Sequence, residues 1–313
     1  MPRSRSALLV AILLFLAAPA GASHTPWSSG RQPLATAPFE LVGEKIFLKA
    51  RVNGSEEINL QFDTGAGSTV IDDSTAQKLK LVVSGTTTNE GAAGSISVPT
   101  STNNTIDLSG LTLPNITLLH LPLGEYYGER RDAVIGYDML KSYVIRIDYD
   151  TKMMEFYDAK SFDNGGKGKV NRFSLWSNSA LMDIELTLLS GERMRGKVMV
   201  DDGADLPLLL NSPFVTKNGL MQRVGKVAKG SISGSDGLEV PTFRGKVKKA
   251  VIGGYAFPDF PVRLTEAQSG TLSLDDLDGI LGSPILKMFN ITFDYRRKKM
   301  YWEPNRSFSQ KVN

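Results

Sequence analysis

The sequence predicts an all-β protein of two homologous lobes with a few short helices. Three observations carry that expectation. Short segments rich in Val, Ile, Thr, Phe and Tyr are punctuated by Gly, Asn and Pro. Helical periodicity is confined to a few short stretches. One ordered set of features occurs twice along the chain. With 313 residues, 41% hydrophobic and 22% charged, the chain has the size of one large domain or two ordinary ones.

At the N-terminus, Arg3 and Arg5 precede an unbroken apolar run, residues 7–18, and Ala20-Gly21-Ala22 supplies the small residues that a signal peptidase reads. Residues 1–22 are therefore expected to be a signal peptide cleaved before Ser23, with export to the periplasm or beyond. The apolar run falls short of the about 20 residues a span needs, so no stable membrane span is expected after processing. Residues 23–38 read as a flexible segment.

The first unit opens with Ile46–Val52, a turn at Asn53-Gly54, and Ile58–Phe62, a hairpin signal. It runs into Asp63-Thr64-Gly65-Ala66 and the apolar pair Val70-Ile71. The second unit repeats the outline. Met182–Leu189, a turn at Ser190-Gly191 and Gly196–Val200 lead into Asp201-Asp202-Gly203-Ala204 and then Leu208-Leu209-Leu210. Helices are expected over Asp73–Leu81 and Ser212–Leu220. Gly94-Ser95-Ile96-Ser97-Val98-Pro99-Thr100 is answered by Gly230-Ser231-Ile232-Ser233 and, after a short insertion, by Val240-Pro241-Thr242. Asp132-Ala133-Val134-Ile135-Gly136 is answered by Asp278-Gly279-Ile280-Leu281-Gly282. Each of these is followed by a short helical stretch and a strand ending in Asp-Tyr. The lobes are assigned to 39–158 and 172–304, joined by a Gly-rich linker over 159–171 and followed by a flexible tail over 305–313.

Composition narrows the chemistry. Cys is absent, which removes disulfides, thiol catalysis and iron–sulfur or zinc–thiolate sites. His24 and His120 are the two histidines, which nearly eliminates His-based metal sites and Ser-His-Asp hydrolysis. The net charge is +3, and two of the 36 basic residues are Arg3 and Arg5, so the mature chain is close to neutral. No nucleic-acid partner is expected. Carboxylates, hydroxyls, Lys, Arg and the backbone are left to do the work, and no metal or cofactor is called for.

The twice-repeated strand, Asp-x-Gly turn and apolar-apolar-Gly segment resembles the aspartic proteases of pepsin and retropepsin type, in their two-lobed single-chain form. The resemblance spans essentially the whole mature chain. It implies two β-barrel-like lobes, a cleft between them, a peptide or protein substrate, and a monomer with internal pseudo-twofold symmetry. It also implies that Asp63 and Asp201 are the catalytic carboxylates of an exported endopeptidase. Two carboxylates about 3 Å apart cannot both ionise and share a proton. A water held between them can then be activated by one while the other protonates the peptide carbonyl. Thr64, Gly65 and Gly203 support the two loops, and Val134-Ile135-Gly136 and Ile280-Leu281-Gly282 pack behind them. Gly91 and Gly94 in the first lobe, and Gly230 and Gly234 in the second, are placed in flaps over the substrate.

The second Asp-x-Gly has two candidate aspartates, and Gly203 selects Asp201, two positions before it. Asp202 then stands where the family has Thr or Ser. An ionised carboxylate accepts but cannot donate, so Asp202 either needs a proton or loosens the lobe junction. The alternative function follows from this departure: a two-lobed peptide-binding protein with impaired catalysis. Asp132 and Asp278 are expected to open turns before buried strands. Asp275-Asp276-Leu277-Asp278-Gly279 lacks the first and last ligands of a calcium loop. Arg296–Lys299 fits a hairpin turn, and His120 a side chain satisfied within an apolar run.

Overall fold

The computed structural model describes residues 32–92, 94–225, 227–234 and 237–312. The expected signal peptide and residues 23–31 lie outside them. The first half of the chain carries β1 (Ala35–Pro38), β2 (Glu40–Val42), β3 (Lys45–Val52), β4 (Ile58–Phe62), β5 (Thr69–Asp72) and β6 (Gly85–Glu90). It continues with β7 (Ser95–Leu108), β8 (Leu111–Leu121), β9 (Glu125–Tyr126), β10 (Glu129–Arg130), β11 (Ala133–Ile135), β12 (Tyr143–Asp148) and β13 (Met153–Asp158). The second half carries β14 (Lys169–Arg172), β15 (Ser174–Trp176), β16 (Ser179–Thr187), β17 (Arg193–Asp201), β18 (Leu208–Leu210) and β19 (Ala228–Ser233). It ends with β20 (Glu239–Ile252), β21 (Tyr255–Thr265), β22 (Gly279–Gly282), β23 (Phe289–Asp294) and β24 (Lys299–Pro304).

Two eight-stranded sheets have the same construction. One runs β2-β3-β4-β11-β5-β8-β7-β6 and the other β15-β16-β17-β22-β18-β21-β20-β19, each closed further by a pairing of its second and seventh strands. Each therefore curls into a barrel-like lobe, as the repeat implied. Alternation explains the packing: β3 turns Leu48, Ala50 and Val52 inward and Lys49 and Arg51 outward. Short helices follow β5, β11, β18 and β22, at Asp73–Lys78, Tyr137–Leu140, Ser212–Lys217 and Ser283–Leu286. Asp72 caps the first of these by accepting from the Ser74 and Thr75 amides.

A third sheet, β1-β13-β12-β23-β24-β14, takes strands from both halves. Its centre is the antiparallel pair β12–β23, with Ile145 opposite Phe293 and Ile147 opposite Ile291. All six residues of β23 are buried because strands flank it on both sides and core covers its face. Trp302 on β24 is fully buried and meets Phe289 edge-on at 5.2 Å between ring centres. Each large side chain buried here contributes about 1.5–3 kcal/mol.

This sheet orders three segments that the sequence left loose. Ala35–Pro38, at the end of the expected flexible segment, pairs with β13. Lys169–Arg172, at the end of the expected linker, pairs with β24. The tail expected to be flexible forms a helix over Arg306–Val312, where the Ser307 amide donates to Asn305 Oδ1 and Phe308 packs on Phe289 and Tyr255. In each case edge backbone or an aromatic ring finds a partner that no local signal reports.

The flap echo also changes register. Thr100 lies opposite Gly85 on the β6–β7 hairpin, and Thr242 lies opposite Gly230 on the β19–β20 hairpin. Gly230 is thus the counterpart of Gly85, not of Gly94, and sits within a strand rather than at a tip. The supposed insertion before Val240 is the hairpin turn itself, which Gly234 closes by accepting from the Gly237 amide.

Candidate active site

Each lobe delivers its Asp-x-Gly turn from the end of a strand held by a parallel neighbour. β4 lies beside β11, and β17 beside β22. Asp132 and Asp278, expected to open turns, bind the neighbouring strand instead: Asp132 Oδ2 accepts from the Asn59 amide at 2.9 Å and Asp278 Oδ2 from the Lys197 amide at 2.7 Å. These matched bonds set the register that brings both turns to the same level.

The two turns meet. The Asp63 and Asp201 carboxyls are brought face to face, each lying against the glycine of the other loop, and each carboxylate accepts from the glycine amide two residues on in its own loop, Gly65 at 2.8 Å and Gly203 at 2.9 Å. The glycines are reciprocal. A Cβ on Gly65 would collide with the Asp201 carboxyl, and a Cβ on Gly203 with that of Asp63. Absence of a side chain at both positions is what allows the carboxyls to touch. Burial raises the Asp201 pKa well above the ordinary carboxylate range, the charges of Asp63 and Asp202 raise it further, and Lys45 opposes them.

Beneath the pair, Thr64 Oγ1 donates to the Val200 carbonyl at 3.0 Å and accepts from the Asp202 amide at 3.0 Å. Asp202 Oδ1 accepts from the Thr64 amide at 2.7 Å, while Oδ2 is buried and has no hydrogen-bond partner. Desolvation, followed by the charge of Asp63, pushes the Asp202 pKa up to about 8, against the pull of the Thr64 bonds.

Each lobe also reaches across with its first hairpin. Lys45 Nζ donates to the Gly203 carbonyl at 2.9 Å, and Ser179 Oγ donates to the Gly65 carbonyl at 3.0 Å. Neither residue carries a sequence signal, because the partners lie more than a hundred positions away.

The β6–β7 tip crosses to the second lobe. The Gly91 carbonyl accepts from the Thr271 amide at 3.0 Å and the Ala92 carbonyl from the Leu272 amide at 3.3 Å. Ala92 packs on an apolar patch of Leu206, Leu209, Val240 and Leu272. A Cβ at Gly94 would lie 3.5 Å from Leu238 Cδ1 on the opposite flap. The first lobe has a buried apolar cluster of its own, made of Val70, Val98, Leu119, Leu121 and Val134.

Other residues read from the sequence stand apart. His120 Nε2 meets Ser101 Oγ at 3.0 Å, and Arg297, in the basic turn, pairs with buried Asp294. Among the described residues, no group of three or more His, Asp or Glu is arranged to hold a metal, and no helix is long and apolar enough to cross a membrane.

Residues 48–139 match the family model described as aspartyl protease. The whole fold is similar to the crystal structure of the aspartic proteinase from Irpex lacteus, with a TM-score of 0.55 and 14% identity over 89% of this chain and 99% of that one. No curated protein matches the sequence.

Proposed function

We propose that this chain, an aspartic protease of pepsin or retropepsin type in fold and in the family of its first lobe, is an exported endopeptidase in which Asp63 and Asp201 activate the attacking water. The observation that carries the reading is the juxtaposition of these two carboxyls, each anchored by its own loop glycine and lying against the glycine of the other loop. Such a pair shares one proton, and burial together with the partner's charge raises the Asp201 pKa. The ionised member takes a proton from water as the oxygen attacks the peptide carbonyl, and the protonated member protonates the carbonyl oxygen. The nitrogen then leaves with a proton returned through the pair, so acid and base roles are exchanged and restored in one cycle. No metal or cofactor enters these steps.

The second lobe already supplies the partner surface that a one-lobed relative would take from another copy, which favours a monomer. Export rests on the segment over residues 1–22.

A second reading follows from Asp202 Oδ2, which is buried without a hydrogen-bond partner: a junction left incomplete there would leave a peptide-binding protein with little turnover. One experiment separates the two. The chain from Ser23 onward is incubated with a diverse peptide pool between pH 3 and 8, and products are read by mass spectrometry, with a hydroxyl-bearing transition-state mimic as control. The peptidase reading expects new termini, suppressed by the mimic. Retention of peptides with no cleavage at any pH supports the binding protein instead.

A further inference from the structure

The two Asp-x-Gly loops are held from behind by matched but unlike groups. Lys45 and Ser179 are the first residues of β3 and β16, the strands paired with those that lead into the Asp-x-Gly turns of their own lobes, and both donate to the carbonyl of the glycine in the other lobe's loop. Ser179 does so with a neutral hydroxyl. Lys45 does so with an ammonium, and that ammonium is itself fixed. It lies 4.5 Å from the centre of the Tyr126 ring and 3.7 Å from Asp205 Oδ1, and the Tyr126 hydroxyl donates to Asp205 Oδ2 at 2.7 Å. The Lys45 side chain is 12% exposed, against 41% for Asp205, so its charge is screened by water far less than a surface charge would be.

We propose that Lys45 is a positioning residue for the carboxylate pair, holding the Gly203 loop against Asp63 while placing one fixed positive charge behind the second carboxylate. The geometry carries this. The Gly203 carbonyl accepts from the Lys45 ammonium, the Gly203 amide holds Asp201 Oδ1, and the Gly203 Cα lies against the Asp63 carboxylate. One residue thus transmits the tether to both carboxyls. The charge has a second consequence, because the pair needs one ionised member to turn over, and a nearby cation favours ionisation.

The groups facing this centre are Asp63 and Asp202 on the two loops, Asp205 and Tyr126 around the ammonium, and Arg131, which interacts with both Asp63 and Asp205. Glu44, beside Lys45, is paired with Lys287 at 2.5 Å. Lys45 is the cation that acts on Asp201.

The inference rests on the peptidase reading, so its test includes a measurement independent of turnover. Lys45→Met keeps the stem over Tyr126 and removes the charge; Lys45→Arg keeps the charge. Asp205→Asn, a second variant, removes the negative charge beside the ammonium. The rate constant kcat/KM is followed against pH, and the carboxyl resonances of 13C-labelled aspartate are titrated by NMR in parallel. Lys45→Met is expected to move the acid limb up by about one pH unit, a tenfold loss of activity on that limb, with the carboxyl titration moving alike. Lys45→Arg is expected to restore the limb, and Asp205→Asn to move it down. If Lys45→Met folds and titrates like the parent, or if Lys45→Arg behaves as Lys45→Met does, the proposal is overturned. Should Lys45→Met not fold, an unmoved titration in Asp205→Asn overturns it equally. A parent that cuts no peptide refutes the peptidase reading, and the NMR titration still decides the role of Lys45.

Discussion

Thr64 and Asp202 occupy matched positions across the lobe junction, and only Thr64 both accepts and donates across it. Thr64 Oγ1 both accepts, from the Asp202 amide, and donates, to the Val200 carbonyl. Asp202 accepts from the Thr64 amide through Oδ1 and leaves Oδ2 buried without a partner. A hydroxyl does both jobs with one atom; a carboxylate can complete the second only when protonated.

The pH dependence of stability follows with a definite sign. A carboxyl whose pKa rises from 3.8 in the unfolded chain to about 8 in the fold contributes fully below about pH 4, and that stability is lost as the pH rises through about 8. Asp202→Thr should therefore leave Tm near pH 4 unchanged and raise it by pH 8, reflecting about 1–3 kcal/mol for the relieved group. Asp201, whose pKa is also raised, leaves some slope in both proteins. Parallel Tm curves for parent and variant between pH 4 and 8 would show that Asp202 finds its own partners.

The flap prediction turns on Ala92. Ala92→Asp places a carboxylate against Leu206, Leu209 and Leu272, where burying an unpaired polar group costs about 1–3 kcal/mol. The latch should open, and hydrogen exchange at the Thr271 and Leu272 amides should quicken at least about tenfold, with protection of β23 and β24 unchanged. Equal exchange in parent and variant would mean the contact is not holding the flap.

Deleting the chain through Pro38 tests the shared sheet. β1 makes four residue pairs with β13, so the loss should lower stability by about 1–3 kcal/mol in thermal melts. A truly flexible segment would leave Tm where it was.

Much of this centre is legible in the sequence because its constraints are local. Gly203 fixes Asp201 by spacing, and the strands leading into both turns alternate over enough residues to be read. The departures have one cause: alternation marks a strand without naming its partner. Nothing in Ile145–Ile147 or Phe289–Phe293 says that they pair with each other across the halves, and nothing in Ala35–Pro38 says it is an edge. The repeated Gly-Ser-Ile-Ser misleads because its two copies lie on opposite strands of their hairpins, with Gly230 opposite Thr242 where Gly85 is opposite Thr100. Lys45, Ser179 and the Ala92 latch act only across the cleft, so no window of sequence contains both ends of their contacts.

The central claim is that Asp63 and Asp201 together activate water, and it is tested most directly by replacing each alone. Asp63→Asn and Asp201→Asn keep the size of the side chain and remove the shared, exchangeable proton. On any peptide that the parent cuts, the account predicts that kcat falls about 10³-fold or more in both variants, with Tm equal to or above the parent's because the buried charges no longer oppose each other. A variant of either residue that melts like the parent and keeps more than about a tenth of its kcat would contradict the account, since chemistry shared by two carboxylates cannot survive the loss of one.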